Sequence, residues 1–466
     1  MSSSVRSGVL TLLHTACGAG ILAMPYAFKP YGLITGFIMI IICGICAMIG
    51  LLLQSRVSSY VPVRNASFFT LTQITNPNLS IVFDLAIAIK CFGVGVSYMI
   101  VVGDVLPQVL STFTNHEWLL NRNVNITLVM LFIVTPLCFL KNLNSLRYAS
   151  MLAISSVAYL CALVLIHFIM PNDETHNFKG DVSWGLPKNG LNPLTTLPIY
   201  VFAYTCHHNM FSVINEQMDP TYNSVKKIAI ISMILAGFLY ILIGGAGYLT
   251  FGDHITGNII TLYPQNISTT IGRIAIIFLV TLAFPLQCHP ARASINHIIH
   301  YFKPAQDNKN SNPAGFSETT TLMDNQSPPP PAILQQITQD PLTIPTEELI
   351  EEEYPEQDHP FETIPLEQSQ FTIITIGILV SAYFLAISVT SLARVLAIVG
   401  ATGSTSISFI LPGLFGYQLI GSEYKNFNEM PIKTKATKIA SAVLVTWGTF
   451  IMFASLFASL FLGASH

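Results

Sequence analysis

Long apolar segments separated by short polar ones make up most of the chain. About eleven of these runs come near the 20 residues that a helix needs to cross a bilayer. They lie near residues 7–28, 32–54, 80–110, 124–140, 147–170, 194–213, 225–251, 268–290, 371–392, 394–420 and 438–462. The pattern predicts an all-α polytopic membrane protein with about eleven transmembrane helices, of which 124–140 and 194–213 are the shortest.

Composition agrees with this pattern and excludes a soluble enzyme. Of the 466 residues, 52% are hydrophobic and only 10% are charged, against about 25% charged in an average soluble protein. No Walker loop, nucleophile elbow or HExxH motif is present, so we predict no enzyme, no ATP-driven pump, no cofactor and no metal site. The eight cysteines lie in apolar segments, where packing is their expected role. Nothing in the chain suggests a nucleic-acid partner.

The charges divide the chain into two membrane parts and a linker. Between Asn310 and Gln370 there are 12 of the 24 acids and neither Lys nor Arg. We therefore predict spans 1–8 in 1–303, a disordered acidic cytosolic loop in 304–370, and spans 9–11 in 371–466. The Glu-Leu-Ile at 348–350 resembles part of a sorting signal, which makes this loop a candidate for binding sorting machinery, although a solvated linker is favoured.

The short loops carry a charge bias that predicts an orientation. With the N-terminus in the cytosol, eleven Lys and Arg fall on the cytosolic side and six on the other. An odd number of spans then places the C-terminus on the opposite, lumenal side.

The first apolar segment carries Gly18, Gly20 and Pro25, residues that weaken a helix interior. In lipid, interrupted helix is tolerated only where protein or a water-filled cavity covers the freed backbone. We therefore predict a break at Gly18 to Gly20, followed by a half-helix whose N–H groups can receive a carboxylate. The alternative is close helix packing through small residues.

A second irregular segment is predicted in span 6, between Phe202 and Met210, which contains His207, His208 and Asn209. Polar side chains at this depth are functional candidates, since they are expensive in lipid. Two irregular spans five apart fit two inverted five-helix repeats with a binding site where the breaks meet. The alternative is a short span followed by cytosolic loop.

Three further positions could carry charge or polarity into the membrane. His14 precedes Gly18 by four residues and is expected on the same helix face, either as a proton carrier or as a core His. Lys90 could be a buried cation, but snorkelling to the interface is slightly favoured. Gln287 to Pro290 are expected at a gate or boundary near the end of span 8.

In span 2, Gly50→Ala is expected to have a small effect on transport.

The chain resembles the amino acid/auxin permease family. The resemblance rests on five stretches, which are Thr15–Pro25, Cys91–Tyr98, Phe202–Gln217, Phe284–Ala293 and Leu396–Gly413. It implies a LeuT-like 5+5 inverted repeat plus one extra helix. It also implies a multi-pass protein of the vacuolar membrane that moves amino acids, foremost aspartate and glutamate, with protons into the cytosol.

The resemblance also implies site residues. The break in helix 1 would receive the substrate's α-carboxylate, and helix 6 would face the rest of the substrate. The substrate-binding set is Thr15, Gly18, Ala19, Gly20, Ile21, Leu22, Tyr204, His207, His208 and Asn209. Proton coupling is expected at His14, His207 or Lys90. Span 8 offers Thr281 but no acid at mid-membrane, which leaves sodium coupling unsupported.

Two alternatives remain open at this point. One is a vacuolar transporter of neutral amino acids, working by export or by antiport import. The other is a transporter-like amino acid sensor that binds a signalling partner.

Overall fold

The computed structural model describes residues 4–140, 147–186, 192–219, 221–302 and 367–462, and the regular elements in these ranges are helical. The first half contains α1 Val5–Ala16, α2 Gly20–Ala27, α3 Leu33–Val57, α4 Phe68–Thr75, α5 Leu79–Leu110, α6 Glu117–Leu120, α7 Arg122–Val129, α8 Thr135–Cys138, α9 Arg147–Ile169 and α10 Asp173–Asn177. The second half contains α11 Leu197–Ala203, α12 Met210–Glu216, α13 Tyr222–Phe251, α14 Ile267–Phe302, α15 Gln368–Ser388, α16 Leu392–Val399, α17 Leu411–Leu419 and α18 Ile432–Phe457.

The chain forms two units, one of residues 1–302 with 364–466 and one of residues 303–363. The second unit lies outside the described residues, as does the predicted acidic loop except for 367–370. Of that predicted loop, residues 368–370 already belong to α15.

Eight helices in the described ranges are long and apolar enough to cross a membrane, and the α1–α2 pair makes a ninth if it counts as one bent span. The two shortest predicted spans are the ones that fall below this limit. Residues 194–213 are divided between α11 and α12, and Arg122–Cys138 form a shorter apolar helix. The polytopic all-helical fold is thus confirmed, while the count of eleven stays a prediction.

Span 10 contains two π-helical segments, Gly400–Ser404 and Ser406–Ile410, between α16 and α17. Small residues permit close approaches here. A Cβ on Gly403 would lie 2.7 Å from the carbonyl oxygen of Ala86 and 2.8 Å from the Cβ of Lys90, both in α5. Span 10 is therefore packed closely against α5.

The break in span 1 lies against the break in span 6. A Cβ on Gly20 would lie 3.0 Å from the Cα of Ala203, at the end of α11. A side chain at this position would press on the backbone of α11, so glycine permits the close approach of the two breaks. This contact agrees with the packing alternative for Gly20, and its role in binding substrate stays a prediction.

Candidate functional site

Span 1 is interrupted where the sequence predicts it. The helix α1 ends at Ala16, α2 begins at Gly20, and the two axes differ by 58°. Two N–H groups near the start of α2 already form hydrogen bonds. Those of Ile21 and Leu22 donate to the carbonyls of Gly18 and Ala19 at 3.2 Å. Both lengths lie at the long end of the usual range of about 2.7–3.2 Å. The break thus places a helix start close to the site.

Span 6 is interrupted as well, and its break faces that of span 1. After α11 the chain passes through Tyr204 to Cys206 and a 3₁₀ turn, His207–Asn209, before α12 begins. The Nδ2 of Asn209 donates to the Oγ1 of Thr15 at 2.8 Å. This bond joins the last turn of α1 to the turn before α12.

A cavity of about 620 Å³ lies between α1, α4, α5, α14 and the His207–Asn209 turn. It follows α5 from Ser80 to Tyr98, which corresponds to about 27 Å along a helix. Because Ser80 is the second residue of α5, the cavity reaches one end of the bundle. Its inner wall contains His14, Thr15, Tyr98, His208 and Asn209. The volume falls in the range of small-molecule sites.

Lys90 lies behind this inner wall rather than at the interface. It is 3% exposed, and its Nζ donates to the Nε2 of His208 at 3.0 Å and to the Oε1 of Gln287 at 3.2 Å. The snorkelling arrangement favoured from the sequence is therefore wrong. Burial between α5 and α14 leaves the ammonium no path to the interface, and packing provides it with two acceptors instead.

The electrostatics of this cluster are unbalanced. Both partners of Lys90 are neutral acceptors when the His208 ring is uncharged. The ion pairs found in the described ranges are Arg122 with Asp104 and His297 with Asp84. Neither involves Lys90, so the buried ammonium has no carboxylate partner there. The Nδ1 of His208 is buried and also lacks a partner in those ranges.

Gln287 to Pro290 lie within a continuous helix. The helix α14 continues to Phe302, twelve residues past Pro290. Gln287, His289 and Pro290 all line the cavity. Their expected role at a gate or boundary stays a prediction, because a helix of 36 residues is longer than a membrane span and its end does not mark the boundary.

Several predicted site residues lie outside the cavity wall. The ring of His207 is fully buried and donates from Nε2 to the carbonyl of Ala47 at 2.9 Å, on the α3 side. Tyr204 packs edge-on against Tyr240. His14 does line the cavity, but it shares no continuous helix face with Gly18, because α1 ends at Ala16.

The glycine-rich break itself lies just beyond the cavity. A Cβ on Gly18 would meet the hydroxyl of Tyr98 at 3.3 Å. Ala19, Ile21 and Leu22 are buried at a narrow gap lined by Val157 and α14. In this conformation Tyr98 therefore stands between the cavity and the break.

Sequence reasoning did not single out Tyr98 or the pair Asp84–His297 as site residues. Tyr98 ends the Cys91–Tyr98 stretch, but nothing in the sequence indicates that its hydroxyl reaches helix 1. Asp84 Oδ1 and His297 Nδ1 lie 3.4 Å apart and both residues line the cavity near its outer end. An acid and a His more than 200 positions apart give no local signal.

The opposite end of the bundle is held by a second charged pair. Arg122 Nε lies 3.3 Å from Asp104 Oδ1, and its Nη2 donates to the carbonyl of Val389 at 3.3 Å. These contacts join α5, α7 and the turn between α15 and α16. Among the residues found to line the cavity, none comes from α5 beyond Tyr98. The cavity is thus open towards Asp84 and closed towards Asp104.

Comparison with known proteins identifies the family. The family model for the transmembrane amino acid transporter protein matches residues 1–454. This chain belongs to that family. The transporter is 61% identical over 462 residues to vacuolar amino acid transporter 6 of Saccharomyces cerevisiae, covering 99% of both chains. It is 52% identical over 483 residues to vacuolar amino acid transporter 5 of the same yeast, covering 100% of both.

A more distant relative and a solved structure complete the comparison. Sodium-coupled neutral amino acid transporter 7 of Danio rerio is 27% identical over 316 residues, which cover 65% of the transporter and 66% of the relative. The fold resembles that of Mhp1, a nucleobase-cation-symport-1 family transporter, with a TM-score of 0.51 at 13% identity over 99% of this chain and 91% of Mhp1. That likeness concerns the fold. The chain is a membrane transporter and not an enzyme.

Proposed function

We propose that the transporter is a proton-linked secondary transporter that carries acidic amino acids, aspartate and glutamate, from the vacuole to the cytosol. The family and the names of its two yeast relatives support amino acid transport in the vacuolar membrane. The observation that carries the acidic specificity is Lys90. It is a buried ammonium held by two neutral acceptors, without a carboxylate partner in the described part of the chain.

The argument for an acidic substrate is electrostatic. An isolated buried charge costs several kcal/mol even after relaxation, and a well-placed opposite charge offsets that cost. A substrate side-chain carboxylate that enters the cavity can compete for the ammonium with His208 and Gln287, which line it. Charge-assisted hydrogen bonds of this kind contribute about 1.5–3 kcal/mol each. Aspartate and glutamate supply this carboxylate, whereas glutamine does not.

The second carboxylate of the substrate is assigned to the start of α2. A helix N-terminus attracts anions through its N–H groups and its dipole. The N–H groups of Ile21 and Leu22, which donate to the carbonyls of Gly18 and Ala19 at 3.2 Å, are the groups that the carboxylate would take over. For the carboxylate to reach them, the Tyr98 hydroxyl beside Gly18 has to move.

Proton coupling is assigned to the cluster around His208, with His14 as a second titratable group in the same wall. His208 accepts the hydrogen bond from Lys90 only while its Nε2 is unprotonated. A proton on this nitrogen abolishes the bond and places two cations side by side. Binding an acidic substrate then compensates a charge that the proton has brought. His207, which faces α3, has no part in this proposal.

The direction of transport follows from the orientation of the chain and the acidity of the vacuole. With the N-terminus cytosolic and the C-terminus lumenal, the open cavity faces the cytosol, at the start of α5 and the end of α14. A lumen richer in protons then drives protons and substrate together towards that side. The structure would represent the state that releases substrate.

Neutral amino acid transport is the second candidate. It is favoured by the relative named as a neutral amino acid transporter. It is also favoured by the two neutral acceptors that already take hydrogen bonds from the ammonium of Lys90. In that case the ammonium would be structural, and a substrate carboxamide would face the cavity.

Transport by purified protein in liposomes tests the proposal. Vesicles loaded at pH 5 inside and held at pH 7 outside should release aspartate and glutamate faster than vesicles at equal pH, with no effect of sodium. Glutamine should be carried more slowly. Glutamine flux above aspartate flux would favour the second candidate, and sodium-dependent flux at equal pH would contradict proton coupling.

A further inference from the structure

An apolar groove of about 650 Å³ lies on the outer face of the bundle between α3 and α18. Its walls include Ile42 and Ile49 on α3, and Ala436, Ala440 and Trp447 on α18. Between Ala436 and Trp447 the groove extends about 16 Å along the helix axis. One leaflet of a bilayer contributes about half of a 30 Å hydrocarbon core. The groove therefore has the depth of a single leaflet.

Cations are concentrated at one end of this groove. Lys433 precedes Ala436 by three residues and Ala440 by seven, so it lies on the groove face of α18. The Nη1 of Arg56, in the last turn of α3, donates to the Oγ1 of Thr437 at 3.0 Å. That bond holds the guanidinium at the same end. The ion pairs found in the described ranges include neither Lys433 nor Arg56.

We propose that this groove is a binding site for one anionic phospholipid. An acyl chain lies along the apolar walls, and the headgroup phosphate and its extra negative charge lie against Lys433 and Arg56. A zwitterionic lipid would fill the groove equally well, but its own cation would neutralise the phosphate. The two cations, which form no ion pair in the described part of the chain, thus select the anionic class. This site is separate from the cavity, and the proposal does not depend on the transported substrate.

The chain provides a matched control on the same helix. Lys438 is five residues from Lys433, about 140° around α18 and away from the groove walls. Its Nζ lies 5.3 Å from the ring centre of Tyr417 in α17. Lys438→Gln therefore removes the same charge from the same half of the helix on the side that does not line the groove.

Native mass spectrometry of the detergent-purified protein, titrated with phosphatidylinositol or phosphatidylcholine, tests the site. One phosphatidylinositol should bind with at least tenfold preference over phosphatidylcholine. Lys433→Gln should weaken its binding about fivefold, and Lys438→Gln should leave it unchanged. Ala440→Phe, which fills the groove, should weaken both lipids.

Three outcomes would overturn the proposal. The first is equal binding of the two lipids. The second is an equal loss of phosphatidylinositol binding in the two Lys variants, which would indicate diffuse surface attraction. The third is unchanged lipid binding in Ala440→Phe. The Ala440→Phe result does not depend on the charge variants, so a failure of one variant to fold still leaves a decisive measurement.

Discussion

The carboxamide of Asn209 and the hydroxyl of Thr15 form a 2.8 Å hydrogen bond between the two interrupted spans. Both side chains also line the cavity. Any substrate that uses either group has to compete with this bond or bind beside it. We therefore expect this bond to couple occupancy of the cavity to the relative position of the two breaks.

We expect Thr15→Ala to weaken transport and Thr15→Ser to retain most of it. A net hydrogen bond is worth about 1 kcal/mol, which corresponds to roughly fivefold in affinity. The measurement is the substrate concentration for half-maximal transport in vesicles. Thr446→Ala is the control, since this exposed threonine of α18 bonds only to its own helix. If Thr15→Ala and Thr446→Ala have the same substrate concentration for half-maximal transport, the bond does not contribute to transport.

Glycine variants separate packing from substrate binding at the break. Gly20→Leu should prevent correct assembly, because its side chain would enter the backbone of α11 at Ala203. Gly18→Ala is the sharper test, since its methyl group meets only the Tyr98 hydroxyl, at 3.3 Å. We expect a folded Gly18→Ala protein with transport reduced about tenfold.

The control for the glycine variants is Gly377→Ala in α15, where nothing lies within 4 Å of an added Cβ. Gly50→Ala, expected from the sequence to be mild, is unsuitable. Its Cβ would contact the carbonyl oxygen of Ser408 and come within 2.8 Å of the Nε2 of His207. Size-exclusion profiles report folding, and vesicle flux reports transport. Wild-type flux in Gly18→Ala would move the carboxylate site away from the break.

The two breaks and the surroundings of Lys90 show what the sequence can and cannot predict. The two breaks are predictable because Gly, Pro and adjacent polar residues are local signals inside apolar segments. Which of two neighbouring histidines faces the cavity is not, because tertiary packing directs His207 to the carbonyl of Ala47 and leaves His208 in the cavity wall. The partners of Lys90 come from spans 6 and 8. Tertiary packing alone brings them together, so a snorkelling lysine was a reasonable but wrong expectation.

The Asp104–Arg122 pair should control access from the closed end. Protonation of Asp104 by an acidic lumen removes one charge of the pair, which weakens the contact between α5 and α7. We expect Asp104→Asn, which lacks that charge at every pH, to make transport less dependent on lumenal pH between 5 and 7. Asp84→Asn, at the open end, serves as the control and should keep the wild-type dependence. The same pH profile in wild type and Asp104→Asn would exclude this role.

Topology can be tested without any transport assay. Protease added to intact vacuoles should cut within residues 310–370 and leave both membrane parts protected. The expectation rests on the charge bias of the loops. Cleavage only after detergent would reverse the orientation, and with it the direction proposed for transport.

The most direct test of the central claim is substrate selectivity in Lys90→Gln. A glutamine keeps a polar group directed towards His208 and Gln287, although its side chain is one bond shorter, and removes the ammonium. We predict that aspartate affinity, measured by competition for transport in proteoliposomes, falls by roughly one to two decades, as expected for the loss of a charge-assisted bond. Glutamine affinity should stay within about threefold of wild type, and Lys227→Gln, an exposed change in α13, should alter neither. An equal loss for aspartate and glutamine would contradict the account, because Lys90 would then support the fold and not recognise the substrate's carboxylate.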